Sequence, residues 1–155
     1  MAGVRDRIRM SEAELARFLR EERTVTCATL GPDGLPHLVP LWYVVRGDDL
    51  WAWTYAKSQK VRNLERDPRA TLQVEAGERY EELRGAMLRT DVAIHRDHDT
   101  VLGLGMELLL RYGSEQPDEA ARRATLSQVP KRVALEFRPR DVVSWDHRKL
   151  SVRGR

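Results

Sequence analysis

The chain has 155 residues, of which 41% are hydrophobic and 33% charged; this is enough for one domain with its own core and is ordinary for a soluble globular protein. The pI of 9.3 and the formal net charge of +3 reflect an excess of arginine rather than a concentrated basic face, so nucleic acid is not an expected partner. The single cysteine, Cys27, excludes an intramolecular disulfide and a multi-cysteine metal site, and its apolar run TVTCATL marks it as a small buried residue.

No stretch is long and apolar enough to span a membrane. Charges near the N-terminus are not followed by an apolar run, so no secretory signal is expected and a cytoplasmic location follows by default. Residues 1–150 read as one domain, and 151–155 as a basic tail.

Ser11 to Glu21 reads as the first helix: Ser11 and Glu14 form a capping box, and Leu15, Phe18 and Leu19 an apolar stripe. Thr24 to Leu30 is a strand, Gly31-Pro32-Asp33-Gly34 a tight turn, and Pro36 to Val45 the returning strand. Pro36 and Pro40 cannot donate to a ladder, so this strand belongs at an edge or is irregular near Pro40. Gly47-Asp48-Asp49 turns into Leu50–Tyr55, and the three close strands predict an antiparallel meander. Asp67-Pro68 ends a helix over Ser58–Arg66. Ala70–Ala76 and Glu82–Ile94 read as strands, with Gly85 a bulge or close-approach point. Asp97 to Tyr112 is a helix stopped by Gly113, and Pro117 sits in the first turn of another helix running to Gln128. Arg132–Phe137 and Asp141–Trp145 read as two last strands, and the residues from His147 on as loose. The pattern predicts a mainly β, antiparallel barrel with flanking helices.

The chain is organised around Trp51–Leu64, WAWTYAKSQKVRNL. An aromatic strand runs into a turn carrying Lys57, Ser58 and Lys60, and Val61 and Leu64 then fall at helical spacing. Ser58 is a good N-cap. At such an opening the backbone N–H groups and the positive end of the helix dipole meet two lysines and a hydroxyl, which suits a phosphate. The alternative is a solvated basic turn before a surface helix. No glycine-rich dinucleotide fingerprint or Walker motif is present. His37, His95, His98 and His147 lack metal-ligand spacing, and His95 and His98 read as surface residues. Ser58 has no nucleophile-elbow context. No metal site and no catalytic side chain are assigned.

Three segments, TLGPDGLPHLVPLWYV, WTYAKSQKVRNLERDPRATL and EAGERYEELRGAM, resemble the pyridoxamine 5′-phosphate oxidase-like split-barrel family, and most of all its flavin/deazaflavin (F420-dependent) oxidoreductase branch. The resemblance covers Ser11 to Ile94, with a looser echo at Arg132–Trp145. It implies a split β-barrel homodimer with its cofactor, F420 or alternatively FMN, in a groove at the dimer interface. Lys57, Ser58 and Lys60 would then hold the cofactor phosphate, helped by Thr54. Val39, Pro40, Leu41 and Trp42 would lie along the ring system, mainly through backbone groups. Asn63 would tie the loop or reach the ribityl chain, with helix packing as its other role. Tyr80 and Arg84 would approach from the partner subunit, and a structural salt bridge is the other reading of Arg84. Trp51, Trp53 and Trp145 read as core. The pyridoxal phosphate-binding arginine and histidine of the vitamin oxidases are only hinted at by His147-Arg148. The implied activity is an F420H2-dependent reductase that gives a hydride to an electron-poor small molecule. The alternatives are an FMN-dependent oxidoreductase or a non-catalytic flavin, F420 or haem binding protein. The apolar Val101–Leu110 helix is the expected dimer surface.

Overall fold

Apolar residues at every second position build the sheet. On β1 (Val25–Leu30), Val25, Cys27 and Thr29 are buried while the alternate side chains are not. Gly34 takes φ +84° in the following turn, a conformation glycine adopts freely. β2 (Pro36–Leu41) returns antiparallel, with Val39 opposite Cys27. The other strands are β3 (Val44–Arg46), β4 (Asp49–Tyr55), β5 (Arg69–Ala76), β6 (Arg84–His95) and β7 (Arg132–Asp146). In this computed structural model, which describes residues 3–151, all pairings are antiparallel and form one curled seven-stranded sheet in the order β2-β1-β5-β6-β7-β4-β3. The result is a half-barrel with flanking helices, the split barrel that the sequence predicts. β2 is an edge strand, which is why it tolerates Pro36 and Pro40.

The meander is not what forms. β2 and β3 lie at opposite edges of the sheet, so the chain crosses the open side of the barrel at Trp42-Tyr43. Side chains from elsewhere hold that crossing. The Tyr43 N–H donates to the Tyr112 hydroxyl at 3.0 Å, and Arg111 donates to the carbonyls of Tyr43 and Glu22. The buried Tyr43 hydroxyl donates to the Leu19 carbonyl at 2.6 Å, and burial pushes its pKa up to about 12.

One further strand expectation changes, and another is resolved between its two readings. The last two strands are one strand, β7, interrupted only by an irregularity opposite Arg89/Thr90: Thr90 pairs with Pro139, Arg89 with Asp141, and Arg140 is the extra residue. Gly85 is the close-approach point and not the bulge, because a Cβ there would lie 2.3 Å from the Trp145 ring.

The helices are α1 (Val4–Ile8), which no sequence pattern announces, α2 (Glu12–Glu21), α3 (Gln59–Arg66), α4 (His98–Tyr112), α5 (Glu119–Gln128) and α6 (Arg148–Ser151). Ser11 caps α2 through the Glu14 N–H at 3.1 Å. Asp118, not Pro117, opens α5 by accepting from the Ala121 N–H at 2.8 Å. α6 replaces the loose segment expected after His147, and residues 152–155 of the basic tail fall outside the described residues.

The main core fills the barrel, with Phe18, Val25, Cys27, Leu50, Leu72 and Phe137 among its members. A second cluster lies outside it. Val101, Leu104 and Leu108 of α4 pack on Val44 and Ala134, with Trp51 and Trp53 beside them. Most of the apolar face of α4 is therefore buried in its own chain, and of the helix expected to offer a dimer surface Leu110 stays exposed. His95 is not a plain surface residue. Its ring stacks on Trp51 with centroids 5.0 Å apart, and its Nε2 lies 3.3 Å from Glu136 Oε1.

Candidate anion and cofactor site

β4 ends at Tyr55 and α3 starts at Gln59. The turn between them is tied to the start of β7, because the Ala56 N–H donates to the Lys131 carbonyl at 2.9 Å. Ser58 is the N-cap, with extended backbone, and its Oγ accepts from the Val61 N–H at 3.4 Å.

The two lysines of the turn differ. Lys57 is exposed. Lys60 is only 5% exposed, and its ammonium donates to Thr54 Oγ1 at 2.8 Å. An ammonium has three donors. Burial holds the Lys60 amine below the ordinary lysine range; the nearby Cys27 thiol opposes that shift and the Arg132 charge adds to it, and no carboxylate contributes. Lys60 is thus a buried cation with spare donors and no counter-ion among the described residues, which is not the solvated basic turn given as the alternative. Cys27 is no nucleophile, since burial pushes its thiol up to about 12.

Behind Lys60, Asn63 is completely buried. Its Nδ2 donates to Thr29 Oγ1 at 3.0 Å, and its Oδ1 accepts from Gln59 Nε2 at 2.9 Å. The first bond fastens α3 to β1 and the second lies within α3, and together they fix the backbone from which Lys60 projects.

Arg132, which no sequence motif marks, lies directly opposite Tyr55 in the β4–β7 register. Its guanidinium sits 3.7 Å from the Tyr55 ring centroid and 5.0 Å from that of Trp53. Its Nε is buried without a hydrogen-bond partner among the described residues. No local signal reveals this, because the pairing joins residues far apart in sequence.

Of the predicted ring-binding segment, Val39 and Leu41 are half-buried and Pro40 is exposed on the sheet edge. Trp42 is 60% exposed at the crossing and stacks on Tyr112, with centroids 4.6 Å apart and planes 8° from parallel. Tyr80 and Arg84 lie at the other end of β7, where Arg84 pairs with Asp146 in the ladder. Arg84 faces Glu22 at 3.6 Å and lies over the Phe18 ring, which is the structural-salt-bridge reading. Tyr80 is 68% exposed against His147. Within one chain, neither residue is brought to the Lys60 turn. Arg148 is held by Asp146 at 2.7 Å, and no pyridoxal phosphate cluster forms with His147.

A cleft of about 540 Å³ lies elsewhere on the sheet. Three of its walls are Arg69, Arg89 and Arg140, each paired with an aspartate. It has no unbalanced charge for an anion.

The family model for pyridoxamine 5′-phosphate oxidase matches residues 11–146. Among curated proteins, none matches the chain. A solved structure of the conserved hypothetical protein Rv2991 from Mycobacterium tuberculosis is similar over 97% of this chain and 94% of its own, at 38% identity and a TM-score of 0.88. Two more distant structures share the fold. One, named F420 reductase, is 24% identical over 81% of this chain and 93% of its own, with a TM-score of 0.63. The other is the haem storage protein HutZ from Vibrio cholerae, 18% identical over 86% of this chain and 94% of its own, with a TM-score of 0.67.

Proposed function

The chain belongs to the pyridoxamine 5′-phosphate oxidase family, and from that premise we propose that it is an F420H2-dependent reductase of electron-poor small molecules. The observation that carries the reading is Lys60, a buried ammonium with spare donors at the mouth of a capped helix. Burying a charge is unfavourable unless an opposite charge meets it, and a phosphate would do so with charge-assisted hydrogen bonds. The residues therefore fit a cofactor phosphate: Lys60 and Thr54 form its floor, and Ser58 and Lys57 its rim.

The ring system would lie along edge strand β2, where one row of backbone groups has no partner strand. Val39 and Leu41 would give it an apolar wall and Trp42 a bulky end stop. When bound, the reduced deazaflavin supplies a hydride equivalent to an electron-poor carbon. This chain's part is to position the ring, exclude water from one face and orient donors toward developing negative charge. No side chain is given a proton-transfer role.

Trp42 beside Pro40 and the fold shared with a protein named F420 reductase support F420 as the cofactor. FMN is the second reading, favoured by one observation. Lys60 and Arg132 offer two positive charges, which match the dianion of a phosphomonoester better than the monoanion of the F420 phosphodiester.

A homodimer belongs to the same proposal. Leu35, Leu38 and Trp42 are each more than half exposed, and Leu30, Val142 and Val143 are exposed as well. Such apolar surface suits burial against a second copy. A partner could then bring Tyr80 to the cofactor groove. Among the described residues no helix is long and apolar enough to cross a membrane.

Parallel fluorescence titrations with F420 and FMN test the cofactor assignment. Saturable binding with F420 the tighter ligand is expected. A reversed order promotes the FMN reading, and absence of binding by both removes the oxidoreductase assignment.

A further inference from the structure

We infer that Arg132 is a further anion-binding residue of the Lys60 turn and contacts the cofactor phosphate from the β7 side, an inference that rests on the cofactor reading above. Three observations carry it. The first is the state of its donors. A guanidinium has five N–H groups, yet among the described residues Arg132 Nε is buried with no partner, and the only bond to the head is 3.5 Å long, to Gln128 Oε1. Leaving a buried donor unpaired is costly.

The second is the contrast along the same strand. Arg138 rests on Glu136 at 2.6 Å, and Arg140 on Asp91 at 2.5 Å. Arg132 has no carboxylate among the described residues and is spread on the Tyr55 ring instead. An aromatic face fixes the planar head without neutralising it.

The third is position. Tyr55 is the last residue of β4, and the Ala56–Lys131 hydrogen bond joins this point of β7 to the turn that carries Lys57 and Ser58. Arg132 is also among the charges that press on the Lys60 amine. Two cations so placed repel each other until an anion lies with both. Lys60 would supply a point charge from the barrel side and Arg132 a planar fork from the outer side, the geometry that suits phosphate.

The test compares each chromophore with and without its phosphate: FMN against riboflavin, and F420 against its deazariboflavin core. Parent, Arg132→Gln, Arg132→Lys and Lys60→Met proteins are titrated with all four, with Arg62→Ala as the exposed control. The parent should bind each phosphorylated form more tightly than its phosphate-free partner. Arg132→Gln should weaken the phosphorylated ligands by about tenfold to a hundredfold and leave the phosphate-free ones unchanged. Arg132→Lys should recover part of the loss, and Arg62→Ala should match the parent. The inference is overturned if Arg132→Gln keeps parental affinity for FMN and F420, or if it weakens both members of each pair equally. In either case a phosphate-dependent loss in Lys60→Met would leave the cofactor reading standing. Should the parent not distinguish the pairs and Lys60→Met change nothing, the cofactor reading fails and this inference with it.

Discussion

Lys60→Met separates function from stability, because the side chain it removes is buried and without a counter-ion. Methionine keeps the length and apolar stem of lysine and deletes the ammonium. The folded protein loses the hydrogen bond to Thr54 Oγ1, worth about 1 kcal/mol, and is relieved of a buried charge, so the two effects oppose. The expected net change in stability is within about 1 kcal/mol, or roughly 2–4 °C in Tm for a chain of this size. A cofactor phosphate would lose a charge-assisted bond worth about 1.5–3 kcal/mol, which is roughly tenfold to a hundredfold in Kd. The pH dependence has a definite sign. Burial lowers the Lys60 pKa, so the folded state holds this proton less tightly than the unfolded chain. Stability of the ligand-free parent should therefore rise with pH between the depressed value and the ordinary lysine value of about 10.4. Lys60→Met should lack that alkaline gain. FMN binding favours the ammonium, so parental affinity should fall as the pH climbs through the same window. Paired FMN and riboflavin titrations with melting curves measure all of this. An unchanged FMN-to-riboflavin ratio, or a Tm loss well beyond about 4 °C, would show that Lys60 does not hold the phosphate in this way.

Asn63→Ala should destabilise without a selective effect on phosphate, because it strands the buried Thr29 hydroxyl; a loss of about 1–3 kcal/mol is expected in urea unfolding, and an unchanged midpoint would contradict it. Light scattering should give twice the 17.9 kDa chain mass at micromolar concentration, and Leu38→Glu should shift the protein toward monomer, whereas a monomeric parent would exclude the dimer.

Much of this was legible locally. The β1–β2 hairpin, the Ser58 cap, α3 and α4 follow from alternation, turn glycines, caps and helical spacing, all of which are written within a few residues. What lies between distant segments was not. The Trp42-Tyr43 crossing sends β3 to the far edge, and its supports, Arg111 and Tyr112, come from α4. The pairing of β4 with β7 places Arg132 on Tyr55 with no trace in either neighbourhood. Pro139 suggests a break, but a register shift nearby keeps β7 continuous. The burial of Lys60 was there to be found. It stands four residues before Leu64 and three before Asn63, so all three share the inward face of α3. Reading it only as a charge hid that face.

The most direct test of the central claim is a crystal structure of the complex with F420 or FMN. The phosphate is expected within hydrogen-bond distance of Lys60 Nζ, above Thr54 and beside the Ser58 cap, with the ring system along β2. A phosphate seated away from this turn, for instance between Arg84 and Arg148, with the Lys60 ammonium still bound only to Thr54, would contradict it.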